Sequence, residues 1–162
     1  MSFETLTATA TPQTLVLKKD ASIGPYTTFG IGGPADFLAE VYTEGALQQV
    51  VREAMATGTR WLLIGGGSNL LVGDAGFRGL VIVNKIEHLV VDGTRIVAGA
   101  GADLGEVVEA AREHSLSGME FAIDIPGTVG VQTPSSTSVR LIAVKTGGCA
   151  PWESFQKIGW AI

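Results

Sequence analysis

Hydrophobic and polar positions alternate along most of the chain, and the alternation breaks at LLIGGGSNLLV (62–72), where two apolar runs flank three glycines. Upstream, DFLAEV (36–41) alternates as a half-buried strand does, and Glu44 to Thr57 places Leu47, Val50, Val51 and Ala54 on one helical face. Gly58 follows as a cap. WLLIG (61–65) and LVIVN (80–84) predict short apolar strands on either side of the glycine loop, so residues 36–84 predict strand, helix, strand, loop, strand. HLVVDG and TRIVAG predict a hairpin turning at Asp92-Gly93. A second helix is expected from Asp103 to about Ser115, with Val107, Val108, Ala110 and Ala111 as its apolar positions and Gly118 ending the segment. Residues 15–17 begin a strand. Residues 1–14, rich in Thr, Ala and Pro, lack periodicity and are expected to form a mobile lead-in. No fixed-period repeat is present.

Composition narrows the classes. With 162 residues and 46% hydrophobic content, the chain can bury one sizeable core or two small ones. A net charge of −5 and the absence of a basic stripe argue against a nucleic-acid surface, which needs clustered Lys and Arg. One cysteine, Cys149, excludes an internal disulfide framework, and with two histidines it makes a Cys/His zinc site improbable. The N-terminus has no basic region leading into an apolar one, and no long apolar run follows. A cytoplasmic protein, neither secreted nor membrane-spanning, is expected.

Three glycine-rich segments carry the candidate chemistry. GAGADLG (99–105) lies between a strand and a helix, but Leu104 stands where a dinucleotide fingerprint needs its third glycine, so it reads as a strand-to-helix turn. GGGSNLL lacks the Gly-Lys-Ser/Thr ending of a Walker loop. Glycines can instead turn successive backbone N–H groups into a concave nest for an anion, with Ser68 and Asn69 adding side-chain donors. Taken alone, the segment fits such a nest and a tight turn between buried strands equally. The third segment, LSGMEFAIDIPGTVG (116–130), shifts the balance, because Pro126, Gly127 and Gly130 shape another anion-ready loop around Thr128. Two such loops in one small acidic chain predict a pyrophosphate held between them.

PYTTFGIGGPADF (25–37), LLIGGGSNLLV (62–72), GFRGLVIVN (76–84), AGAGADL (98–104) and LSGMEFAIDIPGTVG (116–130) stand in the order and spacing of one family. Over about residues 17–130 the chain resembles the UDP-N-acetylenolpyruvoylglucosamine reductases, also called UDP-N-acetylmuramate dehydrogenases. The resemblance implies an α+β fold of the vanillyl-alcohol-oxidase type, with two small subdomains holding a non-covalent FAD. It implies a first subdomain over 15–84 and a partial second over 85–130. By position, Gly65, Gly66, Gly67, Ser68, Asn69 and Leu70 would line the pyrophosphate, while Ile125, Pro126, Gly127, Thr128, Val129 and Gly130 would close over it and the ribityl chain. The family passes hydride from NADPH through the flavin to the enolpyruvyl group of a UDP-sugar, in peptidoglycan synthesis. No catalytic residue, metal or membrane partner is assigned, and the oligomeric state stays open.

Beyond Gly130 the likeness stops. The family's next motifs, its active-site arginine and its substrate domain have no counterpart in VQTPSSTSVRLIAVKTGGCAPWESFQKIGWAI (131–162), so this chain is expected to be incompetent alone. Suitable synonymous codons for Gly130 to Arg140, read from the final base of the first, give Gly-Ala-Asp-Pro-Ile-Gln-His-Val-Gly-Ala, which nearly restores the family motif. An out-of-frame tail is therefore expected, with a divergent short protein as the other explanation. A non-catalytic flavin-binding fragment and a small flavin oxidase remain alternative functions. Cys149 reads as a free thiol, Trp152 and Trp160 as products of frame or packing, and His88 and His114 as surface or hairpin residues. Glu120 is expected to orient the IPGTVG loop, Asp124 to take no acid/base role, and Lys18 and Lys19 to form a solvated strand end.

Overall fold

The computed structural model describes residues 13–132 and 138–142, with main chain only at 131–132 and 138–142. Most of the expected lead-in and of the expected out-of-frame tail, with Cys149, Trp152 and Trp160, lies outside these residues. The chain divides into two compact units, residues 1–86 and 87–162.

The first unit is a four-stranded mixed sheet in the order β1-β2-β4-β3, built from β1 (Leu15–Ser22), β2 (Pro34–Val41), β3 (Trp61–Ile64) and β4 (Phe77–Asn84). β1 runs antiparallel to β2, whereas β4 runs parallel to both β2 and β3. β1 continues past the expected 15–17 because Lys18, Lys19 and Asp20 are exposed on an edge strand, where charge replaces the apolar signal and discourages further pairing. β4 has the opposite character. It is central, and Leu80 and Ile82 point to one face while Val81 and Val83 point to the other, which explains its unbroken apolar run.

Each face has its own cover. Helix α1 (Glu44–Ala56) lays Ala46, Leu47, Val50 and Ala54 on the face of Ala39, Val41, Leu80 and Ile82. Thr43 caps its start by accepting from Ala46 N at 3.2 Å. Its end is a Schellman turn in which Gly58 has φ 66°, Gly58 N donates to Met55 O and Thr59 N to Ala54 O. The other face buries Ile23, Ala35, Leu38, Ile64, Val81 and Val83, and among the described residues no α-helix packs into that cluster. Tyr26, Leu70 and Val72, from the connections β1–β2 and β3–β4, pack there instead. Parallel neighbours need a crossover to bring the chain back, so residues 65–76 must travel the length of the sheet as irregular structure. Burying a large aliphatic side chain such as Leu38 contributes about 1.5–3 kcal/mol, enough to hold an irregular connection in place.

The second unit is an antiparallel sheet in the order β5 (Leu89–Asp92), β6 (Arg95–Gly99) and β7 (Ser138–Ile142), with helix α2 (Leu104–Glu113). Asp92 pairs with Arg95, so the hairpin turns on Gly93-Thr94, one residue later than Asp92-Gly93. Gly93 has φ 60° at the first turn position, the arrangement that a Gly-X turn uses. Asp103 caps α2 by accepting from Glu106 N at 3.2 Å, as its place in the sequence indicated. The helix stops before Gly118. Ser115 takes the left-handed position at φ 55°, and Leu116 N returns to Ala111 O at 2.8 Å. The core of this unit joins Ile96 and Ala98 to Leu104, Val107, Ala111, Met119, Ala122 and Val129. β7, a segment where the sequence pattern gave no strand, pairs with β6 in antiparallel register.

Candidate functional site

The triple-glycine segment leaves β3 immediately after buried Ile64 and forms a turn whose anchor is Gly67. Gly67 O accepts from Leu70 N at 3.4 Å, which places Ser68 and Asn69 at the turn centre, and from Thr28 N at 3.2 Å. Of the three consecutive glycines, Gly67 is the one with positive φ, 61°. It is also buried, and a Cβ there would stand 2.0 Å from Tyr26 O. Glycine is thus required here for two separate reasons, backbone conformation and approach of a neighbouring strand connection. Gly66 and Asn69 are exposed. Among the described residues, the N–H groups of Gly66, Gly67 and Asn69 are not donors in the chain's own backbone hydrogen bonds.

In the second unit, residues 125–130 do not stand as an isolated loop. Gly127 O accepts from Leu104 N at 3.0 Å, Val129 N donates to Ala102 O at 3.0 Å, and Gly130 N donates to Ala100 O at 2.8 Å. Thr128 forms a bridge with Asp103. The GAGADLG strand-to-helix turn is therefore the surface on which the proline-containing segment is laid. Small residues at 98–102 permit this closeness: a Cβ on Gly130 would lie 2.9 Å from Ala100 Cβ. Val129 fills the core, Ile125 and Pro126 are exposed, and Gly127 has φ 127°. Thr128 Oγ1 is buried and has no hydrogen-bond partner among the described residues. An unpaired buried hydroxyl costs about 1–3 kcal/mol, so it points to an acceptor or donor that the described residues do not supply.

Several single residues have partners that the sequence did not show, while His114 is exposed, as expected. Lys18 is more than a solvated strand end, since its Nζ lies 2.7 Å from Glu40 Oε1 and 2.8 Å from the Tyr26 hydroxyl. Glu120 accepts from Gly118 N at 2.7 Å, so it braces the turn preceding the IPGTVG segment. His114 Nδ1 lies 2.8 Å from Ala110 O and closes the last turn of α2. Tyr26, Thr27 and Thr28 were not singled out by any spacing rule, yet they hold Gly67. The available signal was the adjacency of two Thr residues and Tyr26 to the small-residue stretch FGIGGPA, a composition suited to close main-chain packing.

Electrostatically, Glu40 gathers three donors, Lys18, Tyr26 and Tyr42. Burial pushes its pKa up, but donation from Lys18, Tyr26 and Tyr42 outweighs that and holds it below the ordinary carboxylate value. The same hydrogen bonds, Glu40's first, hold Lys18 above the usual lysine range. Burial, reinforced by Glu40, raises both tyrosines.

Residues 35–132 match the family profile described as FAD binding domain. The chain belongs to that family. Among curated relatives, the FAD binding domain is 43% identical over 116 residues to the UDP-N-acetylenolpyruvoylglucosamine reductase of Solibacter usitatus, covering 72% of this chain and 37% of the relative. It is 44% identical over 117 residues to the corresponding reductase of Lactococcus lactis subsp. cremoris MG1363, covering 72% and 39%. Among solved structures, UDP-N-acetylenolpyruvylglucosamine reductase from Thermus caldophilus superposes with a TM-score of 0.58 at 35% identity, over 72% of this chain and 40% of that one. The resemblance to this reductase family is thus borne out over the FAD-binding region, and the chain spans about two-fifths of the length of these relatives. 6-Hydroxy-D-nicotine oxidase from Arthrobacter nicotinovorans, 22% identical with a TM-score of 0.51 over 67% of this chain and 26% of that one, shares the fold alone. The α+β flavoprotein fold read from the sequence is correct.

Each unit by itself offers groups suited to a polar ligand. Two features of the described structure bear on this: main-chain N–H groups around Gly67 left without main-chain acceptors, and the buried, unpaired Thr128 hydroxyl. Residues 62–72 contain no Lys or Arg, so an anion there would be held by main-chain dipoles in place of side-chain charge. Among the described residues, no helix is long and apolar enough to cross a membrane.

Proposed function

We propose that this chain is the cofactor-holding part of a UDP-N-acetylmuramate dehydrogenase, the enzyme that reduces UDP-N-acetylglucosamine enolpyruvate with NADPH in peptidoglycan synthesis. Gly65 to Leu70 bind the FAD diphosphate through main-chain N–H groups, with Ser68 and Asn69 adding side-chain donors. Ile125 to Gly130 cover the diphosphate and the ribityl chain, and Thr128 hydrogen-bonds the cofactor there. The observation that carries this reading is the unpaired buried Thr128 hydroxyl, set in a segment of the matched FAD binding domain. A protein with no such ligand would gain by placing an apolar side chain there.

Bound FAD would supply hydride transfer between the nicotinamide and the enolpyruvyl group. The chain's own residues bind and orient: strands β3 and β4 aim the glycine segment, and α2 with its Asp103 cap fixes the segment that carries Thr128. The UDP-sugar, NADPH and a cytoplasmic setting belong to the enzyme of which this is the FAD-holding part. The 162 residues by themselves hold flavin without catalysing the complete reduction.

Purified chain should carry a yellow chromophore that heat releases as FAD. Recovery of a colourless protein that takes up no FAD on titration would overturn the reading. A covalent flavin would move it to the oxidases of the same fold, and NADPH oxidation coupled to the UDP-sugar would overturn the incompetence of the isolated chain.

A further inference from the structure

Tyr26 ties the glycine segment to the strand pair β1–β2, and the tie ends on Glu40. Glu40 Oε1 accepts from Lys18 Nζ at 2.7 Å and from the Tyr26 hydroxyl, and Glu40 Oε2 accepts from the Tyr42 hydroxyl at 3.0 Å. Lys18 Nζ also stands 5.5 Å from the centroid of the Tyr26 ring. The Glu40 side chain is only 12% exposed, so these charge-assisted bonds are shielded more than those of a surface pair.

From the anchored ring the main chain passes directly to the glycine segment. Tyr26 N donates to Ile23 O at 2.9 Å, which fixes the short 3₁₀ turn Gly24–Tyr26. Tyr26 O faces the Gly67 α-carbon so closely that a Cβ would be 2.0 Å away, and two residues on Thr28 N donates to Gly67 O. Thr27, between them, is buried and donates from Oγ1 to Gly24 O at 3.1 Å or Ile31 O at 3.2 Å. The bonds that hold the Tyr26 ring on Glu40 therefore restrain the same residue whose carbonyl Gly67 rests on.

We propose that Glu40, acting through Tyr26, is a positioning residue for the Gly65–Leu70 segment, so that affinity for the FAD diphosphate depends on a carboxylate one side chain removed from the loop. This rests on the reading of Gly65–Leu70 as a cofactor-binding segment. Sequence spacing does not reveal it, because Lys18, Tyr26, Glu40 and Tyr42 meet only once β1 and β2 are paired in register.

The test is FAD titration of the full 162-residue chain, followed by flavin fluorescence quenching, beside the melting temperature of the same samples without FAD. Tyr26→Phe and Glu40→Ala should each weaken FAD binding about ten-fold, and the double variant should be no weaker than either single one, because both break one tie. Glu40→Gln, which keeps an acceptor for the tyrosine hydroxyls, should recover part of the affinity. Arg112→Ala, on the exposed side of α2, should leave it unchanged. A role in stability alone would lower the melting temperature while folded Tyr26→Phe and Glu40→Gln bound FAD within two-fold of wild type, and that result overturns the proposal. Should Glu40→Ala not fold, Tyr26→Phe decides the matter, since it removes one oxygen. If wild type itself binds no FAD, the reading of the site fails, and the positioning role with it.

Discussion

Tyr26 and Gly67 share a space that only one of them can fill: the Tyr26 carbonyl oxygen stands 2.0 Å from the position a β-carbon on Gly67 would take. Forty-one residues apart in sequence, they lock the β1–β2 connection against the turn that leaves β3, and this contact shapes the segment proposed to hold the diphosphate.

Gly67→Ala should therefore fail on two counts, steric overlap with main chain and an unfavourable φ of 61°. The expected cost is about 2 kcal/mol or more in stability, with loss of FAD binding. Gly45→Ala is the contrasting case, since nothing lies near its added methyl and the site is helical. It should raise stability by about 0.5–1 kcal/mol. Thermal melts of both variants, with and without FAD, check the pair.

Thr128→Val separates a structural hydroxyl from a ligand-facing one. Because Oγ1 has no partner among the described residues, the nearly isosteric change should leave the FAD-free protein equally or more stable, and weaken FAD binding about ten-fold. A variant that melts lower without FAD and binds FAD normally would remove Thr128 from the site.

Asp103 supports the same region from the helix side. Replacing it with Ala removes the cap on Glu106 N and should cost about 0.5–2 kcal/mol. Hydrogen exchange should show the loss concentrated in the first turn of α2 and at residues 127–130, which bond to Ala100, Ala102 and Leu104.

Acid should loosen the first unit through Glu40. Its pKa in the folded state lies below the ordinary carboxylate value, so the stability it contributes is present above the unfolded pKa and is lost as pH falls through the folded one. Lys18 is shifted upward, so its share persists through neutral pH and is lost only in strong base. Melting temperature should fall more steeply below about pH 4.3 in wild type than in Glu40→Gln. Equal slopes would show that the Glu40 hydrogen bonds do not survive in solution.

Strands and helices whose burial is periodic were legible in the sequence. The α1 face, the two-sided run of β4 and the Asp103 cap all announce themselves through local pattern. What the pattern could not show depends on partners distant in sequence. β1 reads as strand for three residues only, because its edge position replaces apolar residues with Lys18, Lys19 and Asp20. The hairpin turn moved by one residue because strand register, set by the pairing of Asp92 with Arg95, decides which residues turn. α2 ends near Ser115 as expected, but Ser115 itself takes the left-handed position, and the turn back from Leu116 to Ala111 that offsets its strain is not visible in the local pattern. GAGADLG was correctly read as a strand-to-helix turn, but its second role as a bed for residues 127–130 appears only from the hydrogen bonds between them.

The central claim is that two separated segments serve one FAD molecule. Hydrogen–deuterium exchange of the chain with and without FAD tests it most directly, because amides that hold or cover a ligand exchange more slowly when it is bound. Slower exchange at both 65–70 and 125–130, saturating together at one FAD per chain, is the predicted result. Protection confined to one of the two segments, or absent from both while FAD is bound, would contradict the account.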